Sequence, residues 1–192
     1  VLEVVRAILR KANSDWEWID KVPVIRMRVC EKNRIRWLTK SEASKLLKEL
    51  PSHLRDMAAF TLATGLRASN VTGLHWDDVD IENYRAWVHA DQAKTKSSFA
   101  VPLNDNAIAI LKQQRGNNTK FVFAYKGKPI LGKCSTKAWS KALKRANVLN
   151  FRWHDLRHTW ASWHVQNGTS LQELKQLGGW SNLEMVLRYA HL

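Results

Sequence analysis

The sequence has little cysteine and no long apolar run. Only two cysteines, Cys30 and Cys134, occur among its 192 residues, which is too few for a disulfide framework or a zinc ribbon. No apolar segment approaches the ~18 residues that a membrane-spanning helix requires, and the amino terminus lacks a secretory pattern. We therefore expect a cytoplasmic protein that does not bind membranes. Because the sequence does not begin with methionine, we also expect a fragment of a longer protein.

Acidic residues are scarce as well. There are 17 Asp and Glu against 31 Lys and Arg, so the formal net charge is +14 and the pI is near 10.1. The segment 106–154 has no acidic residue and eleven basic ones, while in 26–40 six basic residues are opposed only by Glu31. One such segment is usually a solvated surface, but two in one chain favour a polyanionic partner. We predict that this partner is nucleic acid.

Patterns typical of helices and strands are present along most of the chain. With 45% hydrophobic residues, it is long enough to bury one sizeable core. Helices are predicted by periodicity and capping residues over 1–12, 39–50, 54–64, 104–114, from 135 or 136 to 146, over 155–166, after Ser170, and after Ser181 as far as Tyr189. Strands are predicted over 80–82, 85–89, 99–102 and 121–123. The expected fold class is mainly α with a small antiparallel β-sheet, an α+β architecture.

Residue types suited to phosphodiester chemistry are spread along this framework. Arg67 and Arg157 could hold the nonbridging oxygens of a phosphate in forked geometry. A histidine such as His154 can move protons, and the hydroxyl of Tyr189 can attack phosphorus without a metal ion. No one of these residues is informative alone, so their order along the chain decides the interpretation.

Five motifs occur in the order seen in tyrosine recombinases of the phage-integrase type, which the chain resembles from about residue 36 to residue 192. The motifs are Thr64-Gly65-Leu66-Arg67, Lys94 ahead of Val101-Pro102-Leu103, His154-x-x-Arg157-His158, Leu177-Gly178-Gly179-Trp180, and Tyr189. The resemblance implies a mainly helical catalytic domain over 37–192 that binds duplex DNA. Residues 1–36 would then be the remnant of an amino-terminal DNA-binding domain with its basic connector.

The resemblance also implies a reaction. Tyr189 would attack the scissile phosphate to give a 3′-phosphotyrosine and a free 5′-hydroxyl, and the hydroxyl of a second strand would reverse this step. Arg67 and Arg157 would stabilise the negative charge that develops on the phosphate. The departing 5′-oxygen would be protonated by Lys94 at a hairpin tip, and spacing alone leaves Lys96 as an alternative.

The remaining site residues have supporting or variant roles by the same resemblance. His154 would transfer protons, and His158, one helical turn later, would buttress the site. Trp180 stands where many family members have histidine, so it would donate a hydrogen bond and form a packing wall, because an indole cannot shuttle a proton. Asn70 stands where an acidic residue often follows the first arginine. Its amide could orient Arg67 but could not neutralise it.

These observations favour the catalytic domain of an integrase of a phage or other mobile element, acting at the nucleoid of a bacterial host. We expect a homotetramer on DNA, a monomer for the isolated fragment, a possible DNA-bending accessory protein, and no cofactor. The alternatives are a topoisomerase of the type IB kind and a noncatalytic DNA-binding module. A metal ion held by His154 and His158 is disfavoured, because Arg157 would repel a cation.

Overall fold

The computed structural model describes residues 2–26, 35–90, 98–130, 132 and 134–192. It divides into two compact units, Val1–Arg34 and Ile35–Leu192. The smaller unit contains helix α1 (Leu2–Ser14), as its periodicity predicts, and the exposed apolar residues of α1 include Val4 and Ile8. None of the described helices is both long enough and apolar enough to cross a membrane.

Helices make up most of the larger unit. In chain order they are α2 (Lys40–Glu49), α3 (Ser52–Thr64), α4 (Ala68–Thr72), α5 (Asp105–Gln114), α6 (Lys137–Arg145), α7 (Asp155–Gln166), α8 (Leu171–Leu177) and α9 (Glu184–Leu187). An antiparallel sheet has the strand order β1 (Val79–Asp80), β2 (Arg85–Val88) and β3 (Phe99–Pro102), and a separate hairpin consists of β4 (Ala124–Tyr125) and β5 (Lys128–Pro129). The predicted fold class, mainly α with a small antiparallel sheet, is confirmed.

Helix α3 is the centre of the larger unit and packs against α2, α5 and α7. Met57 and Phe60 are fully buried on it, because a helix surrounded by other elements needs apolar side chains on more than one side. The helix ends where Gly65 adopts the left-handed conformation with φ 69° and donates its backbone N–H to the carbonyl of Thr61. Arg67 follows this cap by two positions, so it is held at the end of a buried helix.

Four helix starts that capping residues predict are confirmed. In each case the side chain of the residue before the helix accepts a hydrogen bond from a backbone N–H of the first turn. These residues are Thr39 before α2, Asn104 before α5, Thr136 before α6 and Ser170 before α8. The predicted capping box of Ser181 and Glu184 is wrong, because Asn182 accepts the N–H of Met185 instead, and asparagine caps helices as well as serine does. Helix α9 extends over a single turn and ends at Leu187, so Tyr189 lies in the turn beyond it rather than on the helix.

The strand predicted over 121–123 is also wrong in position. Phe121 makes an isolated bridge with His75, Val122 is fully buried, and regular strand pairing begins only at Ala124. An apolar run signals burial whatever its backbone conformation, so the period of the sequence alone could not place the strand.

The sequence predicts a hairpin tip at 94–98. Residues 94–97 of this prediction lie outside the described residues. Strands β2 and β3 pair in the register Val88 with Phe99 and Arg85 with Pro102, which brings the two ends of the hairpin together. The sequence does not predict α4, because five residues are too few to show a helical period.

Gly65 offers a test of the packing at the end of α3. A Cβ added at Gly65 would lie 2.3 Å from the ring of Trp160, and φ there is +69°. At Gly116 φ is +88°, but a Cβ would meet nothing within 4 Å. The left-handed conformation costs a residue with a Cβ about 1–2 kcal/mol at either position. We expect Gly65→Ala to lower the free energy of unfolding in urea by about 1–3 kcal/mol more than the control Gly116→Ala. Equal losses would contradict this packing.

Candidate active site

Arg67 brings one cationic group to the site from the start of α4. Its backbone is the N-cap of α4, two residues after Gly65. The Nη1 atom is buried and has no hydrogen-bond acceptor among the described residues. Burial lowers the pKa of Arg67, because removing a cation from water disfavours its charged form. The guanidinium is therefore partly desolvated and suited to bind an anion.

Arg157 brings a second cationic group from the first turn of α7, and its side chain is nearly inaccessible to solvent. Its Nη1 atom donates to the carbonyl oxygen of Gly65 at 2.7 Å, and Nη2 donates to that of Gly178 at 2.6 Å. Burial, and next the charge of Arg67, lower the pKa of Arg157 to about 9, while Tyr189 acts in the opposite direction. The group stays cationic at neutral pH, and backbone carbonyls from two loops fix its position.

Trp180 forms one wall of the site. The guanidinium carbon of Arg157 lies 4.1 Å from the centroid of the indole ring, within the range of a cation–π contact. Trp160 stacks on the ring with 6.1 Å between centroids, and the ring of Tyr189 lies at the same centroid distance. A Cβ at Gly178 would lie 2.0 Å from the indole. Glycine is therefore required where the chain passes the ring.

The hydroxyl of Tyr189 is hydrogen-bonded to His158 of α7, with 2.5 Å between Oη and Nδ1. The tyrosine is 1% exposed and the histidine 7%. Burial raises the pKa of Tyr189 to about 12, although Arg157 and Arg188 act in the opposite direction. Burial and the neighbouring His154 lower the pKa of His158 to about 4. At neutral pH the phenol is protonated and the imidazole is neutral, and Oη donates to Nδ1 in the tautomer that carries the ring proton on Nε2.

His154 is the exposed member of the histidine pair. It directly precedes α7, and its ring meets that of His158 edge to face, with 5.2 Å between centroids. Partial loss of solvent around the imidazole lowers the pKa of His154, and the charge of Arg157 adds to this effect. The turn before α7 is fixed by Asp155, whose buried carboxylate accepts the backbone N–H of Arg152 at 2.8 Å. One imidazole is therefore open to solvent while the other contacts Tyr189.

Most residues that the sequence singles out lie in one cluster. Its members are Arg67, His154, Arg157, His158, Trp180 and Tyr189. Asn70 is buried on α4, three positions after Arg67. Lys94 and Lys96 lie in 91–97, outside the described residues. In the part of the chain that the structure describes, no group of three His, Cys, Asp or Glu side chains could hold a metal ion.

Three groups that support the cluster are not predicted from the sequence. The carbonyl oxygens of Gly65 and Gly178 hold Arg157, and backbone acceptors have no signature in the side chains. The third is Asp155, which fixes the turn that carries His154. Its signal was available, because a carboxylate in the first turn of a helix commonly accepts a backbone N–H that precedes the helix.

Comparison with known proteins agrees with this geometry. The sequence profile of the phage integrase family matches residues 36–192. The chain belongs to the phage integrase family. The integrase of Salmonella phage P22 is 43% identical over 203 residues, covering 100% of this chain and 52% of the relative. The integrase of Escherichia phage 186 is 27% identical over 195 residues, covering 97% of this chain and 53% of the relative. This family member therefore spans about half the length of these curated relatives.

Solved structures share the fold of this integrase family member. The catalytic domain of bacteriophage HP1 integrase superposes with a TM-score of 0.64 at 26% identity, covering 82% of this chain and 88% of that one. The Tn1549 transposon integrase in complex with a circular intermediate DNA superposes with a TM-score of 0.75 at 20% identity, covering 96% of this chain and 71% of that one.

The buried imidazole of His158 should make the stability of this integrase family member depend on pH. Its pKa is about 4 in the folded chain, below the ordinary histidine value of 6.5, so between these limits the unfolded chain binds the extra proton. Stability is therefore lost as pH falls through this window. At about 1.4 kcal/mol per pKa unit, the loss between pH 7 and pH 4.5 is about 2 kcal/mol.

The variant His158→Asn lacks this titrating group, so its unfolding free energy in urea should fall less steeply than that of the parent chain. The other titrating groups contribute equally to both proteins and cancel in the difference. Parallel curves of unfolding free energy against pH would show that His158 does not titrate with a lowered pKa.

Proposed function

We propose that this chain is the catalytic part of a site-specific DNA recombinase that integrates or excises the DNA of a phage or mobile element. The observation that carries the proposal is the cluster of Tyr189 with Arg157 and Arg67. A phenolic nucleophile beside two guanidinium groups provides what metal-free transfer of a phosphodiester requires. Membership of the phage integrase family supports the same reaction.

The proposed reaction proceeds in two steps of the same kind. Tyr189 Oη attacks phosphorus, the bond from phosphorus to the 5′-oxygen breaks, and a 3′-phosphotyrosine remains. Arg67 and Arg157 bind the nonbridging oxygens, where negative charge grows during attack. The 5′-hydroxyl of another strand then attacks the phosphotyrosine and releases Tyr189. One ester bond replaces another in each step, so the reaction needs no nucleotide cofactor.

Other residues of the cluster have proposed roles that follow from their positions. His154 is exposed beside the arginines, so it can contact a phosphate oxygen and exchange a proton with it. Trp180 packs on Arg157 and can donate its indole N–H to the phosphate. Asn70 would orient Arg67 from within α4. We assign protonation of the leaving 5′-oxygen to Lys94, with Lys96 as the alternative.

Access to the nucleophile requires a movement, because Tyr189 is 1% exposed. The tyrosine follows α9, a single helical turn that packs against α8. Binding of a duplex would open this short terminal segment enough to expose the Oη atom, while the hydrogen bond to His158 of α7 is kept. The buried state would then be the form of the enzyme before DNA binds.

Duplex DNA is the proposed partner. The net charge of +14 and the two basic segments support it, as does the fold shared with the Tn1549 transposon integrase in complex with DNA. We propose that residues 1–36 belong to a neighbouring DNA-binding domain, and the division of the structure after Arg34 supports a boundary nearby. We further propose a homotetramer on DNA, a monomer in its absence, an accessory DNA-bending protein, and action at the bacterial nucleoid.

The covalent step is tested by changing the nucleophile. On a nicked duplex that traps the phosphotyrosine, Tyr189→Phe should abolish covalent capture, because no phenolic oxygen remains. DNA affinity should stay within about threefold of the parent, because the hydroxyl contributes at most one hydrogen bond to binding. Capture is read on a denaturing gel and affinity by a filter or gel-shift titration.

The matched control is Tyr125→Phe, at a tyrosine that is 48% exposed on β4, and it should capture DNA normally. Equal loss of capture and binding in Tyr189→Phe would reject the assignment of the nucleophile. Relaxation of supercoiled DNA by the parent chain without joint molecules would favour a topoisomerase, and binding without any covalent capture would favour a noncatalytic module.

The salt dependence of binding tests the role of the basic surface. Each neutralised phosphate releases counterions, so a protein that contacts about four phosphates or more should lose about 100-fold in DNA affinity between ~50 and ~200 mM salt. The measurement is a titration of labelled duplex at four or five salt concentrations. A change below about threefold would exclude the basic segments as the docking surface.

A further inference from the structure

We infer that His158 is a catalytic residue that holds the Tyr189 hydroxyl in position and accepts its proton as the phenolic oxygen attacks phosphorus. The inference rests on the proposed function, and it assigns to His158 more than the buttressing role that the sequence suggests. Its basis is the 2.5 Å contact between Nδ1 and Oη inside the cluster of arginines.

The two partners of this contact differ in how firmly they are held. His158 lies on α7, where Thr159 Oγ1 donates to the carbonyl of Asp155 at 2.8 Å and accepts the backbone N–H of Leu38 at 3.1 Å. Tyr189 lies in a turn after a helix of four residues. The histidine is therefore the fixed member of the pair, and the hydroxyl takes its position from the ring nitrogen.

The direction of the hydrogen bond suits proton transfer from tyrosine to histidine. Burial keeps the phenol protonated and the imidazole neutral, and in the tautomer with the ring proton on Nε2 the phenolic proton points from Oη to Nδ1. As the bond from Oη to phosphorus forms, the phenolic proton becomes strongly acidic, and a weak base suffices to accept it. The phosphate bound by Arg157 and Arg67 also adds a negative charge, which favours the imidazolium.

The exposed histidine has a different position. The rings of His154 and His158 meet edge to face, and His154 is exposed whereas His158 is buried. His154 can exchange a proton with the phosphate oxygens, whereas His158 accepts the proton of the nucleophile. Of these two imidazoles, only that of His158 contacts the atom that gains a bond to phosphorus.

Each bond that forms in the cleavage step is matched by a bond that breaks. An electron pair of Oη forms the bond to phosphorus, the O–H bond breaks, and the proton moves to Nδ1 of His158. The bond from phosphorus to the 5′-oxygen breaks with its electron pair, and this oxygen takes a proton from the separate acid that we assign to Lys94. In the rejoining step the imidazolium returns its proton to Tyr189.

The test compares His158→Asn with the parent chain in single-turnover cleavage of a nicked duplex. The Asn carboxamide oxygen can accept a hydrogen bond from Oη but cannot take a proton at neutral pH. We expect the rate of covalent capture to fall by about 100-fold or more, the usual contribution of a general base, with unchanged DNA affinity. His158→Phe keeps the ring volume and should lose at least as much activity.

A modified substrate separates this role from that of the acid. When sulfur replaces the leaving 5′-oxygen, the thiolate departs without a proton, because thiols have a pKa of about 8.5. The sulfur substrate should restore cleavage by Lys94→Ala but not by His158→Asn, since the nucleophile must still lose its proton.

A pH profile provides a readout that a structural role would not change. His158 is surrounded by His154, Asp155, Arg157, Arg188 and Tyr189. Without the imidazole, the proton of Tyr189 must go to hydroxide, so the rate of His158→Asn should rise about tenfold per pH unit above neutrality. The parent, with its acceptor already neutral, should show a flatter profile.

Three results would overturn the inference. The first is cleavage by His158→Asn at a rate within about threefold of the parent, and the second is rescue of this variant by the sulfur substrate. The third is faster cleavage by His158→Phe than by the parent, which would mean that the histidine only holds Tyr189 in an inactive position. Folding of both variants is checked by circular dichroism and DNA affinity. If the parent chain itself captured no DNA covalently, the proposed function would fail instead, so the two failures are distinguishable.

Discussion

A buried guanidinium held by backbone carbonyls is the interaction on which the site depends. Arg157 is 3% exposed, and its two terminal nitrogens donate to Gly65 and Gly178. Carbonyl dipoles solvate the cation without cancelling its charge, so the positive field survives for an incoming phosphate. A carboxylate in the same place would hold the arginine more strongly but would compete with the substrate.

This arrangement explains the close packing around the two loops. The carbonyl of Gly65 reaches Arg157 from a position where a Cβ would lie 2.3 Å from the ring of Trp160, and at Gly178 a Cβ would lie 2.0 Å from the ring of Trp180. The two tryptophans stack on each other and so tie the loops to α7. Aromatic residues thus act as spacers that set the distance between the cation and its acceptors.

The sequence predicts the fold class, most helix boundaries and the identity of the clustered side chains, because these depend on period, capping chemistry and ordered motifs. It does not predict what depends on tertiary contacts. Asn182 rather than Ser181 accepts a backbone N–H at the start of the last helix, and this helix ends at Leu187, before Tyr189. The contact between Tyr189 and His158 joins residues 31 positions apart, and no local pattern could reveal it. Lys94 and Lys96, which spacing leaves as alternatives, lie outside the described residues.

The bonds of Arg157 to two separate loops also determine when the cation site can form during synthesis. The carbonyl of Gly178 belongs to the last segment of the described chain, so a growing polypeptide has no finished cation site until that segment has folded against α3 and α7. A nascent chain therefore acquires the positioned guanidinium only after α8 has been made and packed.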